Sequence, residues 1–394
     1  MVQTANRIER IEEYYFSRKL GEVRSLNAIN LGIGSPDMAP AGDVIQALQQ
    51  TAALPTSHGY QSYKGTAALR QAIAGFYQRV YQVNIDPETN ILPLMGSKEG
   101  IMHITLTFLN EGEEVLIPDP GYPTYASVAQ LLGARVSTYP LLEKQNWRID
   151  FEALEQKDLS GVKIMWVNSP HMPTGSVLTK ADMERLVTLA RSNNFLLVND
   201  NPYSLILNDY PQSMLSCAGA EEVAVELNSL SKSHNMAGWR VGWMAGNPHY
   251  VEAVLRVKSN MDSGMFLGIQ QAAAAALQQD QAWFSELNAA YAKRRQVAYT
   301  ILDTLRCEYA KTQAGLFLWA KVPHEIGSVE NWIDKILYQA GVFITPGFIF
   351  GQAGQRYVRL SLCATEAQLI EAGHRIARWV AEPKNENSHF NAQP

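Results

Sequence analysis

The sequence has little cysteine, no long apolar run and no excess of positive charge, and each shortage closes off a class of function. Only three cysteines, Cys217, Cys307 and Cys363, are scattered through 394 residues. Their number is odd and none of the paired spacings of disulfide frameworks or zinc sites is present, so buried, incidental thiols are expected. His58, His103, His171 and His234 form no metal-ligand spacing either, and no metal is predicted. Lysine and arginine number 33 against 38 aspartates and glutamates, a net charge of −5. Without a basic cluster to neutralise phosphates, a nucleic-acid partner is not expected. No stretch approaches the ~20 apolar residues of a membrane span. The opening MVQTANRIERIEEYYFSRKL is charged and amphipathic and lacks the apolar core of a signal peptide. A cytoplasmic protein with no membrane partner is the expectation.

What the chain does have is enough apolar residues, 46% against 18% charged, to bury a large core, with about two domains expected from its length. Short apolar runs at 164–167, 195–198 and 223–227 predict buried strands, and residues 180–193 have the apolar spacing of an amphipathic helix between two of them. Strand, helix, strand in that order implies an α/β fold with a mostly parallel sheet flanked by helices. A further helix is predicted over 67–81, and 248–305 reads as long helices interrupted near 262–264. Beyond that the texture changes. Alternation over 309–322 and 357–363, separated by a helix around 331–339, predicts a smaller α+β domain, with a border near residue 290. The polar tail EPKNENSHFNAQP is expected to be disordered.

The stretch SLSKSHNMAGWRVGW follows the third predicted strand, so its polar groups emerge at the carboxyl edge of the sheet, where open α/β sheets bind ligands. A lone lysine is ordinarily a solvated charge. Here Ser229, Ser231 and Arg240 offer two hydroxyls and a forked guanidinium suited to a phosphate, beside the amine of Lys232. An amine so placed suits Schiff-base chemistry with a phosphorylated carbonyl compound. Asp200 closes the apolar strand FLLVND, and a buried carboxylate is costly without a cation or proton partner. Gly96, Ser97 and Lys98 follow the run ILPLM and open an apolar helix, which puts free backbone N–H groups where an anion would sit.

The pattern SxSKxxxxxGxRxGW resembles the lysine segment of fold-type I, pyridoxal 5'-phosphate-dependent aminotransferases of class I/II. LGIGSPD, YQSYKG, GSKEG, PDPGYPTY, NSPHMPTG, NDNPY and YVRLS resemble further family segments in family order, so the similarity covers nearly the whole chain. The resemblance implies a large cofactor-binding domain over 46–290 and a small domain over 291–394, with 1–45 as an N-terminal arm and part of the small domain. It implies that Lys232 is the Schiff-base lysine and proton shuttle, that Asp200 pairs with the ring nitrogen, and that Tyr203 donates to the ring oxygen. Tyr122 is expected to stack on the ring. Ser97, Lys98, Ser229, Ser231 and Arg240 are expected at the phosphate, with Tyr60 reaching the phosphate of a neighbouring subunit in a homodimer. Arg359 would grip the substrate α-carboxylate beside Gly34. The implied reaction is ping-pong transfer of an amino group from an L-amino acid to a 2-oxo acid. GIGSPD with GSKEG resembles the branch of aspartate, alanine and LL-diaminopimelate aminotransferases, with 2-oxoglutarate as the expected acceptor.

One position departs from the family. Met172 stands where asparagine usually donates to the ring oxygen, and Asn168 would replace that donor only if the loop were rearranged. The departure leaves two other readings open: another reaction on the same cofactor, such as C–S β-elimination, or a cofactor-binding regulatory protein with little turnover.

Overall fold

The computed structural model describes residues 2–11 and 15–382, so the polar tail from residue 383 onward lies outside the described residues. Strands β1 (Ile91–Leu94), β2 (Glu114–Asp119), β3 (Arg135–Leu142), β4 (Arg148–Ile149), β5 (Val162–Asn168), β6 (Leu196–Asp200), β7 (Ala224–Ser229) and β8 (Gly242–Gly246) form one sheet in the order β1-β8-β7-β6-β5-β2-β3-β4. β2, β3, β5, β6 and β7 run parallel, while β8 lies antiparallel between β7 and β1, and β4 is antiparallel to β3. Every residue of β6 and β7 is buried, as strands covered by helices on both faces require.

The three strands expected from the apolar runs are β5, β6 and β7, and each continues one or two residues further at its carboxyl end. The additions are polar: Asn168, Asn199 with Asp200, and Asn228 with Ser229. The ladder needs only backbone, so apolar patterning ends before the strand does. The helix expected over 180–193 is found as Lys180–Asn193. Thr179 and Asp182 form a capping box at its start, Asn194 ends it in the left-handed region, and Met183, Leu186, Val187 and Ala190 make its buried stripe. The helix expected over 67–81 is α-helical to Phe76 and finishes as a π-turn, Tyr77–Tyr81. Residues 248–305 break twice, into Pro248–Lys258, Leu267–Ala276 and Gln281–Thr304. The unanticipated second break comes where Asp280 turns its carboxylate to cap Ala282 and Trp283. β8 was not predicted, because GWMAG has neither alternation nor β-branched residues to mark it.

A second, antiparallel sheet has the order β9-β10-β12-β11, from β9 (Glu308–Tyr309), β10 (Phe317–Lys321), β11 (Thr345–Pro346) and β12 (Tyr357–Ser361). The single strand expected over 309–322 is thus two, separated by a turn in which Gly315 takes a positive φ. Leu302, Leu318, Ile333, Leu360 and Ile376 belong to the core that packs this sheet against helices Gln281–Thr304 and Glu366–Ala381. Residue 290 falls inside the first of these helices, which runs on unbroken.

Between the two sheets passes the segment Leu31–Asp37. It follows a short parallel pairing of Ile29–Asn30 with Val342–Phe343 and is tied to the second sheet by Ser361 N donating to Leu31 O (2.7 Å). Arg294 clamps its far end with two bonds to Asp37, 2.6 and 2.9 Å.

The first sheet is pinned beneath the future site by Glu226. Fully buried on β7, its carboxylate accepts from Tyr77 Oη (2.9 Å), Ser213 Oγ (3.0 Å), Asn199 Nδ2 (2.8 Å) and Met214 N (3.0 Å). Replacing it with alanine leaves four buried donors without their acceptor. Glu226→Ala is therefore expected to lower unfolding free energy by about 3 kcal/mol or more, measured as a lower denaturant midpoint with an unchanged slope.

Candidate active site

A cavity of about 540 Å³ opens at the carboxyl ends of β5, β6 and β7. It sits beside the point where strand order reverses, between β2 and β5, and is closed on its other side by residues of β10 and β12. The sequence-predicted site residues line it except Gly96, which borders it, and Tyr60, which is 94% exposed and lies outside.

One end of the cavity is built for an anion. Gly96 has a φ of +94° and precedes helix Ser97–Phe108; a methyl group there would overlap the Arg240 guanidinium. Arg240, itself left-handed with a φ of 57°, is steadied by donating to Ala237 O at 2.9 Å. Ser229 caps the short helix Leu230–Ser233, and its hydroxyl lies 2.8 Å from Ser231 Oγ. Burial, and then the charge of Arg240, push the Lys98 ammonium below its ordinary pKa. Two cations, hydroxyls and the first N–H groups of a helix therefore converge.

In the middle stand Lys232 and Asp200. Lys232 Nζ donates to Gly34 O. Burial chiefly, with the guanidiniums of Arg359 and Arg240, lowers its pKa, and the nearby Cys363 opposes them. Asp200 Oδ2 accepts from Tyr125 Oη at 2.7 Å, whereas Oδ1 is buried with no hydrogen-bond partner. Burial raises the Asp200 pKa from 3.8 to about 6. Tyr125 stacks on Trp166 at 4.8 Å and meets Tyr122 edge-on at 5.5 Å. Tyr203 meets Phe317 edge-on at 5.9 Å, and burial raises the pKa of its hydroxyl. Asn168 is committed to the backbone: Nδ2 donates to Asp200 O (2.5 Å) and Oδ1 accepts from Met172 N (2.7 Å). These bonds hold the loop in place, so the rearrangement that would let Asn168 replace the amide missing at position 172 is not seen.

Arg359 marks the other end. It is 5% exposed on β12, with its guanidinium carbon 4.0 Å from the ring centroid of Phe317 and 4.7 Å from that of Phe350. Nη2 donates to Gly32 O at 2.7 Å and Nη1 to Met172 Sδ at 3.0 Å.

A family model described as aminotransferase class I and II matches residues 27–376. The chain belongs to that family. It is 38% identical over 381 residues to an LL-diaminopimelate aminotransferase of Oleidesulfovibrio alaskensis, an alignment covering 95% of this chain and 98% of the relative. An LL-diaminopimelate aminotransferase of Dehalococcoides mccartyi is 38% identical over 388 residues, 97% of this chain and all of the relative. Among solved structures, substrate-bound BacF of Bacillus subtilis superposes with a TM-score of 0.92 at 33% identity, over 96% of this chain and 98% of that one. Aspartate aminotransferase of Thermus thermophilus, at 24% identity and a TM-score of 0.89, covers 96% of this chain and 100% of that one and shares the fold. The protein is a fold-type I, pyridoxal-phosphate-dependent aminotransferase.

The residues present in this aminotransferase fit that cofactor. The unpartnered Asp200 Oδ1 is a buried acceptor suited to a protonated nitrogen, the Gly96 cradle leaves no room for a side chain beside Arg240, and the Lys232 amine lines the same cavity. Sequence reasoning missed Tyr125, although it lies in the quoted PDPGYPTY one helical turn after Tyr122. It also missed Phe317 and Phe350, for which nothing local gave a signal. Outside the cavity, Glu99, His103 and Asp262 bring potential ligand atoms within 4.8 Å of one another, but Lys258 Nζ, 2.8 Å from Asp262 Oδ1, already supplies a cation there. No described helix is long and apolar enough to cross a membrane.

The raised Asp200 pKa makes the cofactor-free enzyme lose stability as pH rises. Below about pH 4 the folded and unfolded carboxyls are both protonated and nothing is lost. Between there and about 6 the unfolded group ionises first, so the penalty grows and then levels off. Asp200→Asn abolishes it, and the stability of this variant relative to wild type is expected to rise by about 3 kcal/mol across that window, read from denaturant unfolding of the two cofactor-free proteins at each pH.

Proposed function

We propose that the enzyme carries an amino group from LL-diaminopimelate to a 2-oxo acid, with 2-oxoglutarate as the acceptor, in a ping-pong reaction. The observation that carries the chemistry is a buried amine of lowered proton affinity in the same cavity as an unpaired carboxylate oxygen and a buried guanidinium. The choice of donor rests on relatives that align over almost their entire length.

Pyridoxal phosphate, when bound, supplies a carbon that takes up the substrate nitrogen and a ring that accepts the electron pair left at Cα. Ser97, Lys98, Ser229, Ser231 and Arg240 would hold its phosphate, Tyr122 would cover its ring, and Asp200 would balance a proton on its nitrogen. Tyr203 offers a hydroxyl to the ring oxygen; the thioether of Met172 has no hydrogen to donate. Arg359, packed against two aromatic rings, binds the substrate carboxylate in a fork and so orients the Cα–H bond. Lys232 Nζ is the base for that proton. Its surroundings disfavour the ammonium, so the amine takes the Cα proton and, once protonated, readily gives it back in the second half of the reaction. Leu20, Ile33, Phe317 and Phe350 give the cavity apolar walls that keep water from the reacting carbon.

The exposure of Tyr60, together with Tyr63 and Met261, supports a homodimer in which Tyr60 reaches the partner's cofactor. No observation favours β-elimination or a non-catalytic role.

With the holoenzyme, LL-diaminopimelate and 2-oxoglutarate are expected to yield glutamate, and Lys232→Ala to lower the rate by roughly 10⁴-fold. A higher kcat/KM for alanine or aspartate would overturn the donor and leave transamination standing. Ammonia released without an acceptor would overturn transamination itself.

A further inference from the structure

Position 172 carries the chain's clearest departure from its family, and the structure gives the replacement a definite place. Met172 is 5% exposed and packs in the same core as Leu31, Phe317, Phe350 and Leu360. Its backbone is fixed by Met172 N donating to Asn168 Oδ1 at 2.7 Å, which holds the loop independently of the side chain. The sulfur lies 3.0 Å from Arg359 Nη1. Phe317 and Phe350 pack against the guanidinium, and with Met172 and Arg359 they line the cavity.

A thioether is a weak acceptor on a flexible stem. An amide oxygen in its place would accept from Nη1 strongly and compete with substrate; a hydrocarbon would not accept at all. We propose that Met172 is a positioning residue for the carboxylate site: its sulfur holds Arg359 Nη1 toward the cavity in the resting enzyme and yields that donor to the substrate carboxylate. This rests on the reading of Arg359 as the carboxylate-binding residue. The residue at 172 then sets how much hydrogen bonding must be given up before substrate binds, and so sets carboxylate affinity rather than proton transfer. The carboxylate replaces sulfur at Nη1 while Gly32 O keeps Nη2, so the guanidinium never loses its anchor.

The test uses holoenzyme and two carboxylates that lack an amino group, glutarate and hexanoate, followed by the visible band of the bound cofactor and by calorimetry. Met172→Gln, which puts an amide oxygen at similar reach, is expected to weaken both by about fivefold and to raise KM for the amino donor more than it lowers kcat. Met172→Leu, close in volume and without an acceptor, is expected to bind both at least as tightly as wild type. If the glutamine variant stays within about twofold of wild type, or if both variants weaken binding alike, Met172 serves packing only and the proposal falls. Arg359→Gln separates the two readings: carboxylate binding unchanged in that variant would remove the assignment of Arg359 itself.

Discussion

Two cationic side chains from different sheets, Lys232 after β7 and Arg359 on β12, donate to carbonyls two residues apart on one turn, Gly34 O and Gly32 O. The site depends on that shared seat. Arg359 is buried and Lys232 partly so, and an ammonium or guanidinium withdrawn from water without an acceptor is costly. Backbone carbonyls meet part of that need without a formal negative charge. The turn is in turn held from outside the cavity. Thr345 Oγ1 donates to Gly32 O at 2.9 Å, Ser361 Oγ to Ile33 O at 2.8 Å, and Arg294 grips Asp37. Gly34 also needs its missing side chain, because a methyl group there would overlap the ring of Phe317.

Burial shifts the two central ionisable groups toward neutrality. It raises Asp200 and lowers Lys232, and in each case burial is the first cause. Asp200 thus favours a cationic partner, and the Lys98 and Arg240 end an anionic one. Lys98 beside Arg240 is part of the same arrangement, two like charges brought to one end of the cavity.

Much of this was legible in the sequence because chemistry sits at strand ends and helix starts, where short motifs interrupt apolar runs. Asp200 closing FLLVND, Lys232 after the third run and Gly96 before an apolar helix needed no long-range information to be noticed. The shared seat was not legible, since Gly32 and Gly34 act through carbonyl oxygens that every residue possesses. The slot of Phe317 and Phe350 around Arg359 was hidden for another reason: it joins residues of the second sheet and the loop before β12, and aromatic side chains in apolar segments read as ordinary core. Tyr60 was singled out by its motif, yet in one copy of the chain it is exposed and does not line the cavity. β8 escaped because a doubly covered, glycine-rich strand carries no alternation.

The last two residues of β6 explain how function can be told from packing when both involve buried carboxylates. Side chains alternate along a strand, so Asn199 and Asp200 serve opposite faces. On one face Asn199 meets Glu226, whose two oxygens receive four donors. On the other, Asp200 receives one, from Tyr125, and keeps Oδ1 unmet. Burial raises the pKa of both carboxyls, so the shift alone does not separate them. The count of donors does. A carboxylate whose hydrogen bonds are complete holds the sheet together, whereas one left with an empty acceptor in a cavity is held ready for a partner that the chain itself does not supply.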